Sequence, residues 1–173
     1  MKHLIFTLLM FFLLLYTKAQ VKKIYGYVQE VNGGAMQDRN SLPAVKGGTT
    51  KVLIDNSRYF VFAAIKKNSL VTFKQIWIKG NVYDFKLDTI KKLPFVLESS
   101  NGGEMVVRDT LIRSSKEQII QLKYLVQTGP AVVTKNARKL VLENNVVIST
   151  SYKNHLFYIA LQKLSNVKPL FTQ

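Results

Sequence analysis

His155 is the one histidine beyond residue 3, and the chain holds no cysteine. A Cys-His pair is therefore impossible, and a Ser-His-Asp relay would have to be built on His155 alone. There is no Gly-x-Ser-x-Gly elbow to hold a serine nucleophile. His155 follows the turn residues Lys153-Asn154 at the start of an apolar run, a position where a surface histidine is the expected occupant. Metal chemistry is as poorly supplied. Zinc sites draw on histidine and thiolate, and no acidic loop has the spacing of a calcium-binding hand. Asp84 and Asp88 lie on one face of an expected strand, but four residues of strand put them about 13 Å apart. That is too far for one metal ion or for a retaining glycosidase pair, and Lys86 and Lys79 nearby point to cross-strand ion pairing instead. No cofactor and no metal is expected, and a hydrolase centred on His155 ranks third among the functional readings.

Recognition is better supplied than catalysis. The stretch FKQIWIKGNVYDFKL, residues 73–87, holds the single tryptophan, Trp77, among lysines and other large side chains. Gly80-Asn81 has the form of a type II′ turn, which sets Lys79 opposite Val82, Ile78 opposite Tyr83, Trp77 opposite Asp84 and Ile76 opposite Phe85. One face of the hairpin is then Ile76, Ile78, Tyr83, Phe85 and Leu87, with Lys74 at its rim. The other carries Phe73, Gln75, Trp77, Lys79, Val82, Asp84 and Lys86. An indole among Gln75, Lys79, Asp84 and Lys86 suits stacking on a sugar ring or base, or anchoring a protein partner. Trp77, Lys79, Lys86, Gln75, Phe73 and Asp84 are accordingly the candidate binding residues. The competing expectation is that Trp77 and Phe73 are covered by a loop, such as 33–48.

The elements that must position these residues are strands. Short runs rich in Val, Ile, Tyr, Phe and Thr recur between Asn, Gly, Ser and Pro, over 23–31, 50–54, 58–66, 70–79, 82–89, 95–98, 104–112, 119–127, 139–142, 146–151 and 155–162. This pattern predicts an all-β fold, an antiparallel β-sandwich of immunoglobulin-like or similar type. Residues 58–65, RYFVFAAI, are apolar on both alternating faces and read as a central strand. The expected core is Phe60, Val61, Phe62 and Ile65 with the apolar hairpin face. The segment 115–126 fits two templates: Ser115 to Gln118 resembles a capping box for a short helix, while Ile120, Leu122, Tyr124 and Val126 alternate as a strand. The β-rich context favours the strand. Residues 33–48 form a long polar loop without period, and Asn-Gly-Gly-x-Met occurs at 32–36 and again at 101–105, as turn chemistry feeding strands requires. Ile24-Tyr25-Gly26-Tyr27-Val28 followed by Asn32-Gly33 resembles the first strand and turn of carboxypeptidase regulatory-like domains over 24–33. The sequence beyond departs from their pattern, and no residue role is carried over.

Residues 1–19 have the three-part layout of a secretory signal: Lys2, an apolar run over 4–16, and small residues before a cut after Ala19. The run is shorter than a membrane span requires, so 20–173 is expected to be one soluble domain without a transmembrane segment. With no cysteine there is neither a disulfide nor a lipoprotein anchor, and no Asn-x-Ser/Thr sequon is present; secretion into a bacterial periplasm or the extracellular space follows. Lysine and arginine number 25 against 10 acidic residues, a field that attracts polyanions. Dibasic pairs stand at Lys22-Lys23, Lys66-Lys67, Lys91-Lys92 and Arg138-Lys139, spread along the chain without one continuous cluster. The expected function is an exported, non-catalytic interaction module that binds a protein partner. The alternative is a binder of anionic glycan or lipopolysaccharide through the Trp77 and lysine face, with nucleic acid ranked below both.

Overall fold

The computed structural model describes residues 20–33, 57–100, 106–130 and 135–172. The signal expected over 1–19, the strand expected over 50–54, most of the loop over 33–48 and the second Asn-Gly-Gly motif lie outside the described residues. The elements are β1 (Val21–Gly33), β2 (Ser57–Ile65), β3 (Thr72–Ile78), β4 (Asn81–Ile90), β5 (Phe95–Ser100), β6 (Val106–Ile112), β7 (Gln118–Pro130), α1 (Lys135–Glu143), β8 (Val146–Tyr152), β9 (His155–Leu161), β10 (Ser165–Asn166) and β11 (Leu170–Thr172). Among the described residues the fold is all-β with one short helix.

The main sheet runs β10-β1-β2-β7-β4-β3-β8-β9, with β11 also on β1, and β5 and β6 form a separate two-stranded ribbon. Pairing is antiparallel except that β10 and β11 run parallel to β1. Bulges at Val21/Lys23, Phe73/Gln75, Val82/Tyr83 and Asp84/Lys86 add to the natural twist. The sheet curls into a half-barrel, so the chain leaves one edge as β9 and returns on the other as β10 through Gln162-Lys163-Leu164 alone.

Gly26 on β1 makes this approach possible. A Cβ there would sit 2.6 Å from Leu161 Cδ2 and 2.7 Å from Leu164 Cδ2. Gly26→Val should lower stability by about 1–3 kcal/mol, as overpacking a filled core does. A urea midpoint unchanged from the parent would mean that the edges do not meet there.

Alternation along each strand divides the apolar residues between the two sides of the curl. Inside lie Val61, Ala63, Ile65, Ile76, Ile78, Ile120, Leu122, Val146 and Ile148. Outside, Phe62, Ala64 and Ile119 pack with Leu111, Ile112 and Phe95 of the ribbon, so β2 is covered on both faces, as RYFVFAAI predicts. Gln29, 1% exposed, joins the layers: its Nε2 donates to Lys168 O at 3.0 Å and to Ser99 Oγ at 3.5 Å. Tyr27 OH donates to Leu111 O, and burial pushes this phenol above its usual range, with Tyr25 adding to the effect.

Several expectations need correction. Residues 139–142 are helical, within α1: Ala137, Leu140 and Val141 fall at helical spacing on one face, and Asn144 Nδ2 donates to Leu140 O at 2.8 Å beyond its end. The strand favoured for the segment 115–126 forms from Gln118 and the alternative short helix does not, because Ser115 Oγ accepts from Glu117 N at 3.0 Å in a two-residue turn ahead of β7. The β3–β4 turn is Lys79-Gly80, with φ of 46° and 81° as a type I′ turn requires, in place of Gly80-Asn81. Ile76 therefore faces Tyr83, and Trp77 faces Val82. The change is two residues in pairing, so Ile76, Trp77, Ile78, Val82 and Tyr83 keep their faces. Leu87, expected in the core, is 50% exposed beyond the β4 bulges.

Candidate functional site

The six candidate binding residues are not gathered on one open face. Trp77 is only 3% exposed, pressed by Val141, Leu140 and Val147, with the Tyr158 ring centre 6.3 Å away. Helix α1 supplies its cover. Its Nε1 is buried with no acceptor among the described residues. Phe73 sits in the inner core, because the bulge between Phe73 and Gln75 turns it to the side of Ile76. Gln75 is half-buried and its backbone carbonyl accepts from Ser149 Oγ at 3.5 Å. Lys79, Asp84 and Lys86 are exposed, with Lys79 Nζ 5.4 Å from the centre of the Tyr59 ring. Of Asp84 and Asp88 it is Asp88 that meets a lysine, Lys123 of β7, and this ammonium holds its carboxyl below the usual range. His155 is exposed at the β8–β9 turn. Among the described residues no group of side chains has the make-up of a metal site.

A different site emerges from the strand order. Val21 pairs with Ile65, Ile65 with Gln118, and Ile119 with Ile90, so the start of β1, the end of β2, the start of β7 and the end of β4 share one end of the sheet. Thr72 pairs with Ser151 at that same end, followed by the Lys153-Asn154 turn. Three of the four dibasic pairs, Lys22-Lys23, Lys66-Lys67 and Lys91-Lys92, are therefore brought together. Arg113, Lys116 and Lys153 join them, and all nine side chains are exposed. Glu117 is the one carboxylate in these same connections among the described residues. The fourth pair, Arg138-Lys139, lies on α1 at the opposite end, where α1 borders the Lys79-Gly80 turn.

The connections are fixed locally. Lys66 N donates to Gln20 O at 2.9 Å, Ser69 N to Lys66 O at 3.1 Å, and Ser69 Oγ to Gln20 Oε1 at 3.1 Å. Asn68 takes φ of 59°, a left-handed conformation that asparagine tolerates. Lys153 and Asn154, at 49° and 63°, form the two-residue turn of β8–β9, which requires positive φ at both positions. Between the connections lies an open cleft of about 470 Å³, lined by Gln20, Lys66, Lys67, Asn68, Leu70 and Lys153 among others. Neighbouring strands are about 4.8 Å apart, so connections one or two strands apart fall within a Debye length of about 8–10 Å at ordinary salt, and neighbouring cations reinforce one another on an approaching anion.

Each dibasic pair is visible in the sequence, but its neighbours are not. One signal was available: the pairs stand at a strand's start, a strand's end and a strand's end, and antiparallel pairing brings starts and ends together. The comparisons add nothing to this site, because no family model, no curated protein and no solved structure matches the chain.

Proposed function

We propose that the protein is an exported, non-catalytic binding module that holds anionic groups, phosphates or carboxylates displayed on a polymer or surface, at the basic end of its sheet. The convergence of Lys22-Lys23, Lys66-Lys67, Lys91-Lys92, Arg113, Lys116 and Lys153 at one end carries this reading. The signal-like layout of residues 1–19 supports export. The curled sheet, with the β5–β6 ribbon as the second layer of a sandwich-type fold, is the scaffold that keeps the lysines in place. The chemistry is charge attraction over a rigid footprint, with nothing in the site shaped for proton transfer.

Position, not net charge, is what the test must isolate. Replacing Lys66, Lys67, Lys91 and Lys92 by glutamine should cut affinity for heparin at low salt by about a hundredfold or more. Replacing Arg138, Lys139, Lys163 and Lys168 by glutamine removes the same charge elsewhere and should cost far less. Equal losses in the two proteins would reduce the site to bulk charge and end this reading. A second reading, a protein partner added as a strand along β9, has its own support: among the described residues β9 pairs only with β8, and Leu156 and Phe157 are 54% and 40% exposed. Main-chain pairing of that kind resists salt, whereas the basic-end contact does not.

A further inference from the structure

The basic end also carries apolar side chains that polyanion binding alone leaves unexplained. Leu70 is 86% exposed, the highest value among the exposed large hydrophobic side chains described, and it lines the same cleft as Lys66, Lys67 and Lys153. Leu156, 54% exposed, follows the Lys153-Asn154 turn and pairs with Ser151, which pairs in turn with Thr72 just beyond Leu70. Phe157, 40% exposed, lies next to it on the opposite face of β9, beside the His155 ring. A hydrated acidic polymer has no use for a leucine held out in water by a hydrogen-bonded turn. An anionic lipid surface has: its headgroups meet the lysines and its acyl boundary takes the apolar tips. Leu70 follows directly on a turn fastened to Gln20 through Lys66 and Ser69, so the backbone that presents it is placed before docking.

We propose that the occupant of the basic end is an anionic lipid bilayer surface, with Leu70 entering the headgroup region and Lys66, Lys67 and Lys153 around it on lipid phosphates. This rests on the anion-binding reading above and names its source. Docking is peripheral; no helix among the described residues is long and apolar enough to cross a membrane.

The test is sedimentation with vesicles of phosphatidylcholine containing about a third phosphatidylglycerol, beside phosphatidylcholine alone, with heparin retention measured on the same proteins. The parent should bind the mixed vesicles and not the neutral ones. Leu70→Ser should weaken vesicle binding about tenfold and leave heparin retention unchanged, because it removes apolar area and no charge. Leu156→Ser should act in the same direction, and unchanged tryptophan emission from Trp77 verifies that both variants are folded. Heparin retention without vesicle binding overturns the lipid assignment and leaves the anion-binding reading in place. Vesicle binding that Leu70→Ser does not weaken also overturns it, since the contact is then charge alone. Loss of both activities in the parent removes both readings.

Discussion

Trp77→Ala should lower folding stability by about 3 kcal/mol or more and leave heparin retention where it was. The first half follows from burial: a tryptophan 3% exposed, packed against Val141, Val147 and Tyr158, leaves a large void when truncated. The range for such a change reaches about 5 kcal/mol, but the lower end is expected here. The Nε1 that alanine removes is buried without an acceptor among the described residues, so its loss relieves a desolvation cost of about 1–3 kcal/mol. Trp77→Phe should recover much of the packing. Because Trp77 is the only tryptophan, its own emission should be that of a buried indole in the native parent and shift to the red on unfolding. A stable Trp77→Ala protein with weakened heparin binding would return the indole to the binding surface and displace the basic end.

Phe62→Ala should cost about 3–5 kcal/mol, and the loss should be felt first in the ribbon. Phe62 is 0% exposed on the outer side of β2, with the Phe95 ring centre 5.2 Å away and Tyr27 at 6.1 Å, both edge-on. Such aromatic pairs add about 0.5–1.5 kcal/mol each beyond area burial. Among the described residues the ribbon pairs only within itself, so what fastens it to the sheet is this outer core together with the Tyr27 hydrogen bond to Leu111, the Gln29 hydrogen bond to Ser99 and the Lys168 N hydrogen bond to Asp109. Hydrogen exchange over 95–112 should therefore accelerate more than exchange over 146–152, in parallel with a lower urea midpoint. Ribbon amides that keep the parent's protection would show that the ribbon is held by something other than Phe62.

Strand existence was legible because alternation is a local signal. RYFVFAAI is apolar at every position from Tyr59 to Ile65, and it became the strand with a covered layer on each side. What failed was whatever depends on a partner. Residues 139–142, KLVL, are as apolar as a short strand, and only the position of Ala137 one turn earlier marks the face that α1 lays over Trp77. The face of Trp77 was legible, since parity survives a two-residue change of register; what covers that face was not, because the cover comes from residues 140 and 141, beyond the strands that follow Trp77. Phe73 escaped prediction for a related reason: one bulge reverses a side chain's face, and no residue type announces it. The basic end was invisible in a stronger sense. Residues 22, 66, 91, 116 and 153 are remote along the chain, and only the strand order makes them neighbours.

The parallel pairing of β10 and β11 with β1 sets a limit on how this sheet can be assembled in time. Tyr27 waits for Ser165 and Val31 for Leu170, contacts of very high sequence separation, which belong to the slow end of folding rates. While the chain is being delivered, one side of β1 stays unpaired until residue 170 has followed, an open strand edge of the kind that aggregates or recruits a chaperone. Late closure of the sheet, with the edge of β1 open until then, is a consequence of where β10 and β11 sit.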